Sequence, residues 1–264
     1  YFNSSMEDVG QYSFSECSSL KEIKFSDNIT YVGEYAFNNC SAATSLHLNN
    51  GVQFIYEGAF SGCESITSAS LPDTVSILET SAFRNCESLE SVVLSKQLKG
   101  LASKTFENCS ALDNVIIPDN ITKINANCFS NCTSLSDIDI PYGVTSIGTN
   151  AFGGCAALKN ITIPDSVTSI GTSCFSNCET LQYVDLGIGI KEIPSSAFEK
   201  CSELQKIIIP RYCEIISSNA FKEDVNLSEV TILQNVNSIS DNAFSYPSRV
   251  DLVSSSKSVS YEGL

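Results

Sequence analysis

Cysteine is the residue type in this 264-residue sequence with the widest range of possible chemistry, since its thiol can form disulfides, bind metals or act as a nucleophile. Nine of the twelve cysteines recur at one constant interval, at Cys17, Cys40, Cys63, Cys86, Cys109, Cys132, Cys155, Cys178 and Cys201. An odd number in one column cannot pair completely. Cys128 and Cys174 take the place of Ala151 in other units, and Cys213 that of Val144. This exchange with small apolar residues predicts buried free thiols, with disulfides or a metal as the alternatives.

The sequence contains few residues that are suited to acid–base catalysis. The single histidine, His47, occupies an outward position of a predicted strand and is interpreted as a surface residue. Asp137 and Asp139 alternate on another such segment, so their carboxylates point to the same side. They can hold a hard cation or a basic side chain of a partner, or remain ordinary solvated charges. We therefore expect no catalytic residues, no metal site and no cofactor.

The charge balance restricts the partners. Fifteen basic residues against thirty acidic ones give a net charge of −15, which repels nucleic-acid phosphates and anionic lipid headgroups. A hydrophobic content of 42% is enough to fill a core. Because neither a long apolar stretch nor a signal peptide is visible, we expect no membrane-spanning segment, signal or anchor in this chain.

An internal period organises the whole sequence. Phenylalanine recurs at the same constant interval as the cysteines, at Phe14, Phe37, Phe60, Phe83, Phe106, Phe129, Phe152, Phe175, Phe198, Phe221 and Phe244. We call this interval, the step from Phe14 to Phe37, the repeat period.

Each unit also holds an alternating β-branched stretch, such as 115–117, 138–140 or 161–163, that predicts a short strand. A short extended segment follows, and then a compact helical turn that ends in Ala-Phe-x-x-Cys. A unit this small buries its apolar side only by stacking on its neighbours.

The predicted fold is therefore a repeat solenoid, a β-rich horseshoe or arc of about eleven coils. It has a parallel sheet on one face and short helical or irregular turns on the other. At about 4.8 Å per strand the sheet is roughly 50 Å long. We expect one solenoid domain over 1–264, with degenerate terminal repeats over 222–264 where Asp224 and Pro247 occupy the cysteine column. The register is expected to persist through Val250, Val253 and Val259, which indicates a fragment of a longer array.

One complete unit, from Cys132 to Cys155, shows the pattern that identifies a family. Its fixed positions are Leu135, Ile138, Ile140, Pro141, Val144, Ile147, Gly148, Ala151 and Phe152. This pattern resembles the BspA-like, or Treponema-type, leucine-rich repeat, and the resemblance extends from about Met6 to Val259. It implies a leucine-rich-repeat solenoid and a surface protein of oral bacteria or mucosal protozoa, several of which are implicated in adhesion to host cells and matrix proteins. No catalytic residues belong to the pattern.

A candidate protein-binding face can be placed on the sheet, because residues between the buried strand positions must face outward. These outward columns vary from unit to unit, and they combine apolar residues, acids and a tyrosine at Val93, Ile116, Asp137, Asp139, Tyr183 and Asp185. An apolar spot with an acidic rim is typical of a protein-recognition patch. Cross-strand packing of β-branched residues is the alternative explanation.

The function expected from these features is non-enzymatic protein binding by a cell-surface or secreted protein, with adhesion to host cells or extracellular matrix implied by the family resemblance. An intracellular scaffold and an inert spacer that projects another module are the alternatives. Eight Asn-x-Ser/Thr signals are compatible with a secreted glycoprotein, although most follow from the wording of the repeat. They lie at Asn3, Asn28, Asn39, Asn108, Asn120, Asn131, Asn160 and Asn226.

Overall fold

The computed structural model describes residues 5–233, 236–244, 250–254 and 258–261. The strands are β1 (Asp8–Val9), β2 (Glu22–Lys24), β3 (Tyr31–Val32), β4 (Ser45–His47), β5 (Phe54–Ile55), β6 (Ser68–Ser70), β7 (Ile77–Leu78), β8 (Ser91–Val93), β9 (Asn114–Ile116), β10 (Lys123–Ile124), β11 (Ser146–Ile147), β12 (Asn160–Ile163), β13 (Ser169–Ile170), β14 (Tyr183–Leu186), β15 (Glu192–Ile193), β16 (Lys206–Ile209), β17 (Ile215–Ile216), β18 (Glu229–Ile232), β19 (Ser238–Ile239), β20 (Val250–Ser254) and β21 (Ser258–Tyr261).

The strands form two sets of ladders along a solenoid, parallel in every described pair except β20-β21, which confirms the predicted architecture. The longer strands make the main sheet, in hydrogen-bonded groups β2-β4, β6-β8-β9, β12-β14 and β16-β18-β20-β21. The two-residue strands make the minor ladder, in groups β1-β3-β5-β7, β10-β11-β13 and β15-β17-β19. Partners from Asp8↔Tyr31 to Ile209↔Ile232 lie one repeat period apart, so the sequence period is the pairing register.

Of the two predicted alternatives, helical or irregular turns, the turn before each cysteine is the irregular one, since the described residues contain no helix. In the ten units from Phe14 to Phe221, the residue two positions before the phenylalanine and the residue two positions after it have a left-handed backbone, as at Asn127 (φ 57°) and Asn131 (φ 59°). A right-handed helix cannot continue through them. Instead, the N–H groups of Asn127, Phe129 and Asn131 donate to carbonyls of the next coil at 2.8–2.9 Å. The turn is thus a further hydrogen-bonded ladder along the solenoid axis.

Two other sequence-based predictions fail locally. The alternation predicts a strand at 138–140, but residues 137–140 form none and interrupt the main sheet between β9 and β12. Aspartate is a poor strand former, and this segment has one at each outward position. At the far end Val230 pairs with Leu252, one residue short of a full period, so the expected register through Val253 is lost. Val259 lies in the antiparallel strand β21, and Pro247 lies outside the described residues.

Stacked phenylalanine rings form the centre of the core. From Phe14 to Phe244, ten successive ring pairs have centroids 5.0–5.9 Å apart and planes within 20° of parallel. Nine of these rings, from Phe37 to Phe221, are almost completely buried. Since an aromatic side chain buries 150–250 Å² or so and offset ring pairs add about 0.5–1.5 kcal/mol, this stack is a major source of stability.

The cysteine column lies beside the ring stack. Each thiol from Cys40 to Cys201 in the column donates a hydrogen bond from Sγ to the phenylalanine carbonyl of the preceding coil, at 3.1–3.3 Å. Burial raises the pKa of these thiols, to about 11 at Cys40 and further at Cys132. Eleven of the twelve cysteines are buried as free thiols and Cys17 alone is exposed. The column is therefore built from protonated thiols that act as small hydrogen-bond donors.

Asp224 occupies the next place in this column. Its Oδ1 accepts a hydrogen bond from the Cys201 backbone N–H at 2.8 Å, whereas its buried Oδ2 has no hydrogen-bond partner in the described part of the chain. Burial is the main cause that raises the Asp224 pKa to about 9, and the negative charge of Glu199 adds to it. At this position of the cysteine column, the protonated carboxylic acid of Asp224 thus replaces a protonated thiol.

Thiol accessibility provides a direct test of the cysteine column. We expect a thiol-specific chromogenic reagent to label about one cysteine per native chain and all twelve after unfolding in denaturant without reductant. The Cys17→Ser variant should reduce the native labelling to nearly zero. Each disulfide would lower the denatured count by two, so a count of ten or fewer contradicts the free-thiol column.

The Asp224 site predicts that stability falls as pH rises. Between about pH 4 and pH 9 the folded chain holds a proton that the unfolded chain releases, so the free energy of unfolding decreases with rising pH. Replacing Asp224 with Cys should remove this contribution. Between pH 5 and pH 8 the free energy of unfolding should therefore fall less in the variant than in the parent protein, by on the order of a few kcal/mol. Denaturant unfolding at several pH values measures it.

The Asp139→Asn variant is the matched control, because it removes one acidic charge from an exposed position. If both variants change the pH dependence equally, general charge repulsion rather than the buried Asp224 carboxyl is responsible.

Candidate binding face

The main sheet presents its outward side chains to solvent, as the alternation of residues predicts. In β8 and β9 the middle residue is buried and its neighbours are exposed. Val93 and Ile116 are 60% and 78% exposed, and Tyr183 on β14 is 56% exposed. Large apolar side chains this open to water are the surface groups that gain most from contact with a partner.

Val93 and Ile116 are direct neighbours, since they are Cα partners in the β8-β9 ladder. Cross-strand contact between two β-branched residues stabilises the sheet, so their residue types have in part a structural explanation. Their exposure shows that this contact leaves most of both side chains uncovered. The pair is an apolar spot at the edge of the interruption in the main sheet.

A groove lies at that interruption. It has a volume of about 430 Å³ and is lined by Asp137, Ile138, Asp139, Ile140, Tyr142, Asn160, Thr162 and Pro164. Asp137 and Asp139 are exposed, while Ile138 and Ile140 between them are buried. The structure thus brings the two predicted carboxylates to one groove, although the segment that carries them is not a strand.

Tyr183 and Asp185 extend the face on the far side of the groove. They are the register partners of Asn160 and Thr162, which line the groove. Four of the six predicted residues therefore lie on outward positions of the main-sheet strands, and Asp137 and Asp139 lie in the interruption. One coil, that of Asn160 and Thr162, separates the two aspartates from Tyr183 and Asp185.

Two exposed residues next to this face were missed. Tyr142, which lines the groove, is 84% exposed, and Ile208 on β16 is 55% exposed. Ile208 lies in the same outward column as Val93 and Ile116, so the period alone locates it. Tyr142 follows the proline that ends the alternating stretch, where a sequence argument based on strand alternation does not reach.

The electrostatics of the face are acidic. In the described part of the chain, no ion pair involves Asp137, Asp139 or Asp185. The lysine that follows Tyr183 in its outward column is engaged elsewhere, since Lys206 Nζ lies 2.6 Å from Glu229. The three aspartates therefore favour a partner that brings its own basic groups.

Metal binding finds no support in this geometry. Within residues 5–233 and the other described segments, no group of three or more His, Cys, Asp or Glu side chains is arranged to hold a metal ion. Two carboxylates on an open groove give too few ligands for calcium, which takes six to eight oxygens or so.

The glycosylation signals divide by environment. Asn160 is exposed at the start of β12, whereas the amide nitrogen of Asn120 donates to the carbonyls of Lys96 and Leu98 at 2.6 Å. Asn108 and Asn131 form a side-chain amide ladder, with Asn131 Nδ2 donating to Asn108 Oδ1 at 2.9 Å. These asparagines have structural roles that a glycan would disturb; Asn3 lies outside the described residues.

A search of the described residues for a helix long and apolar enough to cross a membrane finds none.

Several solved structures share this solenoid. A leucine-rich cell surface protein from Faecalibacterium prausnitzii matches with 27% identity and a TM-score of 0.58, over 93% of this chain and 78% of that one. A leucine-rich repeat protein from T. pallidum matches with 27% identity and a TM-score of 0.56, over 61% of this chain and 78% of that one. A leucine-rich repeat protein from Bacteroides ovatus, with 23% identity, a TM-score of 0.57 and coverages of 93% and 87%, supports the fold alone.

No curated protein matches the chain. The family comparison is decisive, because the BspA type leucine-rich repeat region matches in six copies over residues 7–136 and 123–251. These ranges span the phenylalanine and cysteine columns from the first described coil to β20. The chain belongs to the BspA type leucine-rich repeat family.

Proposed function

We propose that this chain is a non-enzymatic protein-binding domain of a cell-surface or secreted protein that adheres to host cells or extracellular matrix through the outward side of its main sheet. The exposed pair Val93 and Ile116 is the observation that carries the proposal. Their mutual contact stabilises the sheet but leaves most of both side chains open to water, and a partner that covers them removes apolar area at about 25 cal/mol per Å².

The acidic groove beside this pair supports a protein partner with basic side chains near an apolar segment. Asp137 and Asp139 on one side and Asp185 on the other supply charges that attract such a partner and fix its orientation. Tyr183 adds an aromatic group of the kind that is enriched at the centre of protein interfaces. Adhesion as the biological role rests on the family and on the Faecalibacterium prausnitzii relative that is named a cell surface protein.

The free thiols do not argue against an extracellular location. Eleven cysteines are buried, and burial raises the pKa of the cysteine-column thiols. Because the thiolate is the reactive form, buried protonated thiols resist oxidation outside the cell as well as inside it. The state of the cysteines therefore does not distinguish the surface-protein hypothesis from the intracellular-scaffold hypothesis. Determining where the native protein is located does distinguish them.

Binding of the purified chain to immobilised fibronectin, fibrinogen and epithelial cells at physiological salt tests the proposal. We expect saturable binding, weakened at least about tenfold in the Val93→Ser/Ile116→Ser/Tyr183→Ser variant, because truncating central apolar anchors removes most of the affinity of an interface. Asp137→Asn/Asp139→Asn should lower the association rate and its dependence on salt.

The control variant is Tyr212→Ser/Ile215→Ser, which removes two exposed apolar groups, 56% and 39% exposed, that do not belong to the main-sheet strands. Equal losses in this control and in the triple variant would contradict a site on the main sheet. If the folded chain binds none of these targets, the adhesive role is rejected and the inert spacer becomes the better account.

A further inference from the structure

A second surface, on the minor ladder, also has the composition of a binding site. The outward residues of β3, β5 and β7 are Tyr31, Phe54 and Ile77, and each is the Cα partner of the next. All three are at least partly exposed. Other coils have Lys123, Ser146, Ser169 or Glu192 in this column, so large apolar groups occur in three consecutive coils only near this end. We call Tyr31, Phe54, Tyr56 and Ile77 the aromatic strip.

Ring contacts hold the aromatic strip together. The Tyr31 and Tyr56 ring centroids are 4.7 Å apart at an interplanar angle of 41°, and those of Phe54 and Tyr56 are 6.5 Å apart at 48°. Beside the strip, Tyr12 and Tyr35 stack at 5.3 Å with planes 7° apart. Mutual packing fixes these rings before any partner arrives, which lowers the entropy that binding must overcome.

Carboxylates surround the strip. Asp8 is the Cα partner of Tyr31, and the Glu79 N–H donates to the Ile55 carbonyl, next to Phe54, at 3.0 Å. Burial, the Tyr56 phenol and the negative charges of Glu34, Asp8 and Glu79 raise the pKa of Tyr31. A fourth acid, Glu57, accepts a hydrogen bond from the Tyr35 hydroxyl at Oε1, 2.5 Å away. We call Asp8, Glu34, Glu57 and Glu79 the acidic rim.

Neutral groups hold two of these carboxylates in place. Gln11 Nε2 donates to Glu34 Oε2 at 2.8 Å, and the Tyr35 hydroxyl fixes Glu57. In the described part of the chain, no ion pair involves a member of the acidic rim. Glu34 and Glu57 are therefore oriented by hydrogen bonds that leave their negative charges unneutralised.

We propose that the aromatic strip and its acidic rim bind an arginine-containing segment of a partner protein, at a site distinct from the outward side of the main sheet. A guanidinium group stacks on tyrosine and phenylalanine faces and is also the best planar partner for a carboxylate. The strip supplies the faces and the rim supplies the charges within one surface. A neutral ligand would use the rings alone and would desolvate the carboxylates without compensating their charge.

Binding of a fluorescein-labelled (Gly-Arg)₄ peptide, followed by anisotropy, tests this site. We expect saturable binding that weakens as salt rises, and little binding of the matched (Gly-Gln)₄ peptide. Tyr31→Ser/Phe54→Ser should weaken binding by about tenfold or more, since two ring faces are lost. Ile215→Ser is the control for the rings, because Ile215 lies in the same outward column in a distant coil.

The charge variants separate a specific site from general attraction to an acidic protein. Glu34→Gln/Glu79→Gln and Asp137→Asn/Asp139→Asn each remove two negative charges, the first pair from the acidic rim and the second from the main-sheet groove. We expect only Glu34→Gln/Glu79→Gln to weaken binding of the (Gly-Arg)₄ peptide, by several-fold or more. Equal effects of both pairs would overturn the proposal, because non-specific attraction depends on net charge alone.

Two further outcomes would also overturn it. Equal affinity of the (Gly-Gln)₄ peptide would remove the requirement for a cation. Saturable binding of a neutral glucan oligosaccharide that is lost in Tyr31→Ser/Phe54→Ser, without any binding of the arginine peptide, would make the strip a sugar platform. The Val93→Ser/Ile116→Ser/Tyr183→Ser variant should keep its affinity for the arginine peptide, so failure of the main-sheet proposal and failure of this one give different patterns. Thermal unfolding of every variant shows whether it is folded.

Discussion

Contact between phenylalanine rings one repeat period apart is the constraint on which the rest of the structure depends. Rings at centroid distances near 5.5 Å, such as Phe175 on Phe198, hold each coil against the next one. The same interval sets the pairing register in both sets of ladders, and at the same interval each column thiol from Cys40 to Cys201 repeats its hydrogen bond to a phenylalanine carbonyl of the preceding coil. An insertion in one coil would shift all of these contacts together, so the interior tolerates changes of residue type far better than changes of length.

This constraint explains what the sequence alone predicts well. A contact that is repeated in every coil leaves a column in the sequence, and the columns of phenylalanine, cysteine and leucine therefore locate the core, the main sheet and its outward residues. The same reasoning identifies Val93 and Ile116 as surface residues, because they alternate with buried partners. It even anticipates that Asp224 fills a thiol position, since position in the period is sufficient to place it.

Features that depend on backbone conformation or on one particular coil are harder to predict. The left-handed residues around each phenylalanine include Tyr35, Ser81, Lys104 and many asparagines, so no single residue type marks them, and the sequence pattern suggests a helical turn instead. The loss of a strand at 137–140 depends on two aspartates in one unit, which the family pattern allows at outward positions. The aromatic strip escapes sequence reasoning for a related cause: the period places Tyr31, Phe54 and Ile77 in one column, but their residue types differ, and only the structure shows the ring contacts with Tyr56 that join them into one surface.

The outward positions are free to vary because the interior already supplies the stability. One solenoid can therefore carry the two proposed binding surfaces. The main-sheet face occupies the coils that contain Val93 to Asp185, and the aromatic strip occupies those of Tyr31 to Ile77, on a different ladder. Each surface is fixed by the same ring stack, which has one arrangement in every coil. Coupling between distant sites requires an element with two arrangements that both sites can bias. A stack of identical, fully buried rings provides no such element, so occupation of one surface should leave the affinity of the other unchanged, and a partner that engages both would gain through effective concentration instead.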